Sequence, residues 1–286
     1  MNTVSVIDTS FDIKITTSYF LSIQLQLDGF SFCVLDPVSN QYIQFNNRPL
    51  KPNENILDIL EWELSKNNLL VYPYQKIFVL YNTSKYSLIP QALYDKKHHE
   101  DYLSFCFSEG VDLQTELVFA NKIKMADSIC VFKIPLQLST ILDKYFKNIQ
   151  YFCQATPFIE TALLSTPINM AHNHVHIHIQ PSGFYFDIIV TSGNNLKMHN
   201  TFKYHDKKEF LYFTLFVFEQ IKLDTHNTKV FLSGNIEKSN ETYALLKKYV
   251  KQVEIDNTTK HFKFSGIFKH LSIQNHLNLF NIPLCV

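Results

Sequence analysis

Glycine and arginine are nearly missing from this 286-residue sequence. The six glycines, Gly29, Gly110, Gly183, Gly193, Gly234 and Gly266, all stand alone. Walker A loops, G-x-G-x-x-G dinucleotide turns and kinase glycine loops need several closely spaced glycines so that backbone can approach phosphate, and all three are excluded. Arg48 is the single arginine, so there is no raw material for bidentate phosphate clamps or arginine fingers. Neither sign of charge is in excess, with 26 Lys plus Arg against 26 Asp plus Glu. That balance removes the broad basic field of a nucleic-acid binder. Long apolar runs are also lacking: the longest, Phe210 to Phe218, has nine residues, about half of what a bilayer crossing needs. Met1 to Ser10 carries no lysine or arginine and no apolar run behind it, unlike a secretory signal. The expectation is a cytoplasmic protein with no membrane insertion and no nucleic-acid partner. The five cysteines are widely spaced without a C-x-x-C pair, which argues against a disulfide framework or zinc ribbon. Cys33 and Cys130 sit in apolar runs, where a thiol behaves as a small buried hydrophobe.

What is present is an internal repeat. Ile23 to Phe32 aligns with Ile177 to Phe186 without a gap, Gly29 on Gly183 at an offset of 154. Each copy reads as apolar alternation, a glycine turn and a second alternation, the pattern of a β-hairpin. A third strand follows in each, Tyr42 to Asn46 and Leu196 to Phe202. Asn53 and Asp206 then stand as caps for helices reaching about Ser65 and Lys222, with Glu209 completing a capping box in the second. Lys76 to Asn82 matches Lys229 to Asn235 at an offset of 153, so one single-residue gap aligns four segments in the same order. Further helices are expected over Gln91 to Phe105, introduced by Pro90, and over Glu241 to Val250, capped by Ser239. The first half carries extra material: Glu116 to Ile123, Asp127 to Lys133 and a helix over Leu138 to Lys147. Phe158 to Leu164, bracketed by Thr156-Pro157 and Thr166-Pro167, reads as the connection between the halves.

A β-β-β-α-β-α order predicts an α/β fold with mixed sheets whose fourth strand lies beside the first. That is the order of a ribonuclease H-like unit, and two in tandem form the plan of actin-like ATPases. The expected division is an N-terminal extension (1–18), a first ribonuclease H-like domain (19–156), a connecting segment (157–169) and a second such domain (170–286).

The run Ile7-Asp-Thr-Ser-Phe-Asp12, followed by Tyr19-Phe-Leu-Ser-Ile-Gln-Leu-Gln-Leu-Asp-Gly-Phe-Ser-Phe-Cys-Val-Leu-Asp36, resembles the opening of a bacterial family of unknown function described as having an actin-like ATPase fold. The resemblance spans nearly the whole chain and implies a fold without an assigned activity. It also says where to look for a nucleotide. Actin-like ATPases hold phosphates with Asp-x-Gly-type turns followed by small hydroxyl residues, and adenosine with a Gly-Gly turn. Backbone N–H groups must approach the phosphates, and carboxylates must hold Mg²⁺ through water. The matching residues are Asp28, Gly29 and Ser31 in the first turn, Ser182 and Gly183 in the second, and Ser233, Gly234 and Asn235 in the adenosine turn. Each departs from the pattern: Asp28 and Gly29 are adjacent and followed by bulky Phe30, Pro181 removes a donor where the second turn has no acid, and one glycine of two remains in the third.

Other chemistries have weaker footing. Two-metal nuclease chemistry needs a carboxylate in the first strand, and Ser22 to Gln26 and His174 to Gln180 contain none. His172, His174, His176 and His178 alternate along a strand and share a face; three imidazoles and a fourth ligand could hold Zn²⁺ or Fe²⁺. The repeat offers the simpler account, because His176, His178 and Gln180 fall in the columns of Ser22, Gln24 and Gln26, a polar strand face in both halves. Asp58, Glu61 and Glu63 around Trp62, and His98-His99 among Lys96, Lys97, Glu100 and Asp101, read as solvated helix faces. Phe210 to Phe218 is apolar all round, as in a helix covered on both sides, by the other half or by a second chain.

The reading is therefore a protein without catalytic or metal-binding residues and with a degenerate nucleotide site, acting as a scaffold or through a protein partner or homodimer. The alternative is an ATP-binding conformational switch, with weak ATPase activity as the only catalysis it would carry. The switch needs Asp28, Ser182 and Gly234 to meet at one cleft with open N–H groups. The scaffold expectation is a cleft filled by Phe30 and Phe184.

Overall fold

The computed structural model describes residues 3–26, 29–51, 53–165, 172–180, 182–256 and 261–286. In the first half, β1 (Val4–Ile7), β2 (Phe20–Gln26), β3 (Gly29–Asp36) and β4 (Gln41–Pro49) precede helix α1 (Ile56–Lys66) and β5 (Lys76–Tyr81). An insertion follows: β6 (Tyr86–Pro90), α2 (His99–Cys106), β7 (Glu116–Ile123), β8 (Ser128–Pro135) and α3 (Leu136–Asp143). Next come β9 (Ile149–Cys153) and α4 (Ala155–Ser165). The second half holds β10 (Asn173–Ile179), β11 (Tyr185–Ser192), β12 (Asn195–Lys203), α5 (Lys207–Gln220), β13 (Lys229–Gly234), α6 (Glu241–Tyr249), β14 (Gln252–Ile255), β15 (Lys263–Phe264) and α7 (Leu277–Asn281).

The strands form three sheets. One runs β1-β4-β3-β2-β5-β9, with β15 also on β4; the second runs β12-β11-β10-β13-β14; β6-β8-β7 form a small third sheet. In both large sheets the hairpin strands pair antiparallel, while the fourth strand lies parallel beside the first, β5 on β2 and β13 on β10. The alternation of β2 explains its place. Leu21, Ile23 and Leu25 enter one core with α1 and α3, whereas Phe20 of the same strand turns with Phe78 and Leu80 of β5 and Tyr42 of β4 to another core beneath the C-terminal segment. A third core unites the second sheet with α5 and α6.

Two elements lock the halves together. Helix α4 touches β7 and β9 on one side and β11 and β12 on the other, and α7 packs on β2, β3 and α4. The hydroxyl of fully buried Tyr42 donates to the Phe280 carbonyl at 2.5 Å. Phe158 to Leu164, expected to be a bare connection, lies within α4, whose residues Ala155 to Glu160 are all buried.

Several helix ends differ from expectation. Asn55, not Asn53, caps α1, accepting from Leu57 N, because Asn53 sits in the left-handed region at φ 71°. Asn240, not Ser239, caps α6. Gln91 to Phe105 is not one helix: two three-residue 3₁₀ turns precede α2. The expected helix over Leu138 to Lys147 starts and stops earlier, as α3. Asp206 caps α5 as anticipated, accepting from Lys208 N and Glu209 N, while the Glu209 carboxylate reaches back to His205 N.

Candidate functional site: the cleft between the halves

A cleft of about 310 Å³ opens between the halves, lined by Tyr81, Asn82, Glu116 and Lys133 from the first and by Gln180 and Tyr185 from the second. It lies where β5 and β10 end, which is why these residues meet. Asn82 N donates to Leu25 O and its side-chain oxygen accepts from Gln24 Nε2, so the strand end is tied to the first hairpin. The cleft's cations are occupied. Buried Lys133 Nζ donates to Glu116 Oε2 at 2.8 Å and to Gly110 O at 2.7 Å, and Lys85, also on its wall, pairs with Glu109.

Among the described residues, none of those predicted for a nucleotide lines this cleft. Asp28 and Pro181 lie outside the described residues. Gly29 pairs with Gln26 and Pro49, and a Cβ there would stand 2.7 Å from Arg48 O, so close strand approach accounts for the glycine. Ser31 is buried and its hydroxyl donates to Asn47 Oδ1 at 2.7 Å. In the second turn, Gly183 N donates to Gln180 O and Gln180 N to Tyr185 O. Gly183 has φ 73°, the left-handed geometry that favours glycine in a tight turn. In the third turn, Ser233 Oγ bonds His178 Nδ1 at 3.0 Å. Gly234, at φ 82°, faces the Ile179 carbonyl so closely that a Cβ would come within 1.9 Å of it. Asn235 N donates to that same carbonyl at 2.8 Å. The second turn thus closes on itself just past the end of β10, and the third is bonded to Ile179, the last residue of that strand.

The rings expected to close the cleft do not do so. Phe30 is fully buried in the first core and Phe184 is exposed, although they share a column of the repeat: Phe30 lies within β3, whereas Phe184 stands in the turn ahead of β11.

Behind the cleft a polar cluster joins the halves. Asp187 of β11 is buried; its Oδ2 accepts from Gln180 Nε2 at 2.9 Å and its Oδ1 from Thr201 Oγ1 at 2.5 Å. With the Thr201 proton given to Asp187, the Tyr86 hydroxyl is the donor in its 2.7 Å bond to Thr201 Oγ1. Tyr86 also stacks on His199. Burial pushes the Asp187 carboxyl up to about 6 and the His199 imidazole down to about 3. Asp187 does not line the cleft, so the cluster is a clasp between β6 and β12 rather than an acid or base at a substrate.

The histidine ladder lies on a polar strand face, as the repeat suggested, and that face is buried in both halves. His174, His176 and His178 are buried, because α4, α7 and Phe231 cover what the repeat suggested was a polar strand face. His176 stacks on Phe231, with centroids 5.0 Å apart, and His178 packs on Phe158 at 5.6 Å. Burial lowers His176 to about 3 and His178 to about 4. Among the described residues no three His, Cys, Asp or Glu side chains gather as metal ligands. Sequence reasoning missed Tyr81, Lys133, Glu116 and Tyr185; the signals within reach were Asn82, in the repeat column of Asn235, and Gln180, in the column of Gln26.

Two mixed sheets of one strand order, interlocked by crossing helices around a cleft, define the actin-like ATPase fold. A Bacteroides thetaiotaomicron protein with actin-like ATPase fold and unknown function superposes with a TM-score of 0.78 at 20% identity, over 93% of this chain and 98% of that one. A chain of the PilM-PilN type IV pilus biogenesis complex gives 0.59 at 10% identity, over 92% and 96%. The ethanolamine utilization protein EutJ of Carboxydothermus hydrogenoformans gives 0.50 at 8% identity, over 98% and 93%. The chain belongs to the family described as Protein of unknown function (DUF3822), whose model matches residues 8–253. Comparison with curated protein sequences gave no match. No helix among the described residues is long and apolar enough to cross a membrane.

Proposed function

We propose that this chain is a non-catalytic, cytoplasmic member of the actin-like fold with a degenerate nucleotide site, working as a scaffold or through a protein partner. The fate of the turn donors carries the reading. A bound triphosphate needs open N–H groups and free cations. Here Gly183 and Asn235 give their N–H groups to carbonyls, and both cleft lysines are ion-paired. A partner-binding use of the fold is supported by the likeness to a chain that belongs to a protein complex.

The second reading, an ATP-binding switch, is favoured by one observation: the cleft of about 310 Å³ is open and flanked by Tyr81 and Tyr185. In that reading Asp28, Gly29, Ser31, Ser182, Gly183, Ser233, Gly234 and Asn235 would rearrange to take ATP and Mg²⁺. Calorimetric titration with ATP, with and without Mg²⁺, separates the two. The scaffold reading expects no saturable heat at millimolar nucleotide. Saturable heat that is abolished by Tyr185→Ala would overturn it in favour of the switch.

A further inference from the structure

The two walls of the cleft are joined by side chains behind it. The first wall, Tyr81 to Lys85, runs directly into β6, whose first residue is Tyr86. On the second wall, Gln180 follows the last residue of β10, and Tyr185 begins β11 two residues before Asp187. Three hydrogen bonds lead from one wall to the other. The Tyr86 hydroxyl donates to Thr201 Oγ1 at 2.7 Å, Thr201 Oγ1 donates to Asp187 Oδ1 at 2.5 Å, and Gln180 Nε2 donates to Asp187 Oδ2 at 2.9 Å.

This relay runs through the interior. Asp187 is 1% and Gln180 8% exposed, and Tyr86 stacks on the fully buried His199 side chain with centroids 5.4 Å apart. It also crosses between sheets: Tyr86 lies on β6, an edge strand of the small sheet, and Thr201 on β12, an edge strand of the second large sheet, and these two sheets are not paired with each other through their backbones. Side chains therefore have to hold them in register at this point. A buried polar group that loses its partner has no water to replace it, so removing one member of such a chain disturbs the next. The last member is Gln180, which faces the cleft while Asp187 holds its amide nitrogen from behind.

We propose that Tyr86, acting through Thr201 and Asp187, is a positioning residue for the cleft: its hydroxyl sets the spacing of the two walls and the orientation of the Gln180 amide. The small sheet is thereby coupled to the cleft through one file of hydrogen bonds. This coupling is distinct from both readings of the cleft, because it holds with or without a nucleotide.

The side-chain amide NMR signals of Gln180, assigned in the full chain by their loss in Gln180→Ala, read the far end of the relay. Tyr86→Phe keeps the ring on His199 and removes the hydroxyl. It should shift the Gln180 signals and speed hydrogen exchange over residues 82–86 about fivefold, as expected for the loss of one buried hydrogen bond. Thr201→Val, which breaks the relay in the middle, should shift the same signals further, and adding Tyr86→Phe to it should change nothing more, because the two groups act in one chain. Thr201→Ser keeps the hydroxyl and should leave the Gln180 signals where they are. Gln180 signals that stay in place in Tyr86→Phe overturn the proposal, as do effects of Tyr86→Phe and Thr201→Val that add. A Thr201→Ser variant that behaves like Thr201→Val overturns it equally, since packing on β12 would then account for the shifts.

Discussion

At the scale of the residue, the glycines decide how the cleft is read. Gly234 resembles half of an adenosine turn, yet its neighbour is the chain itself: a Cβ would meet Ile179 O at 1.9 Å, and φ is 82°. Gly183 shares the positive φ but has open space around it. Gly234→Ala should therefore cost about 3 kcal/mol or more in urea unfolding, and Gly183→Ala about 1 kcal/mol. Equal costs would mean that the third turn is not packed on β10. Gly29 and Gly183 were legible in the sequence as hairpin turns through their alignment at 154, and Gly234 as the turn that ends its strand. What each glycine faces was not legible, because Arg48 O and Ile179 O come from strands that only the folded sheet brings near.

At the scale of the element, alternation carried most of the information. β2, β3, β10 and β11 follow from their apolar periodicity, and the pairing of β5 on β2 and β13 on β10 follows from the order of strands. Helix starts were less legible because candidate caps stand close together. Ser239 and Asn240 are neighbours, and only the backbone geometry shows that the Asn240 side chain accepts from Thr242 N. The burial of the histidine face could not be read from β10 alone. Its cover, α4 and α7, comes from the segment just before it and from the end of the chain, so a polar column of the repeat becomes an interior seam. The polar side chains there are retained with partners, as His178 with Ser233, or stacked on rings, as His176 on Phe231.

At the scale of the whole molecule, that seam sets the response to acid. Burial holds His176 of the seam and His199 of the Asp187 cluster down to about 3, and holds His178 of the seam and His276, which packs on Phe45 just ahead of α7, down to about 4. In the unfolded chain each titrates near 6.5, so the unfolded state takes up protons first as pH falls. Stability is full above about pH 6.5 and is lost progressively toward pH 3 to 4, by about 2 kcal/mol per histidine already at pH 5. Asp187 acts in the other direction. Its folded value of about 6 lies above the unfolded one, so its contribution is present at low pH and lost as pH rises through 6; one carboxyl recovers about 1 kcal/mol at pH 5, and the four histidines outweigh it. The urea midpoint should fall steeply between pH 6.5 and 5, whereas a flat or rising midpoint would contradict a seam of neutral buried imidazoles.

The central proposal is that the donors of the second and third turns serve the protein's own carbonyls instead of phosphate, Gly183 N that of Gln180 and Asn235 N that of Ile179. Amide NMR spectra recorded through a titration with Mg-ATP read those donors directly. The account predicts that the Gly183, Gly234 and Asn235 signals stay in place at millimolar nucleotide. Saturable shifts of these three amides together would contradict it.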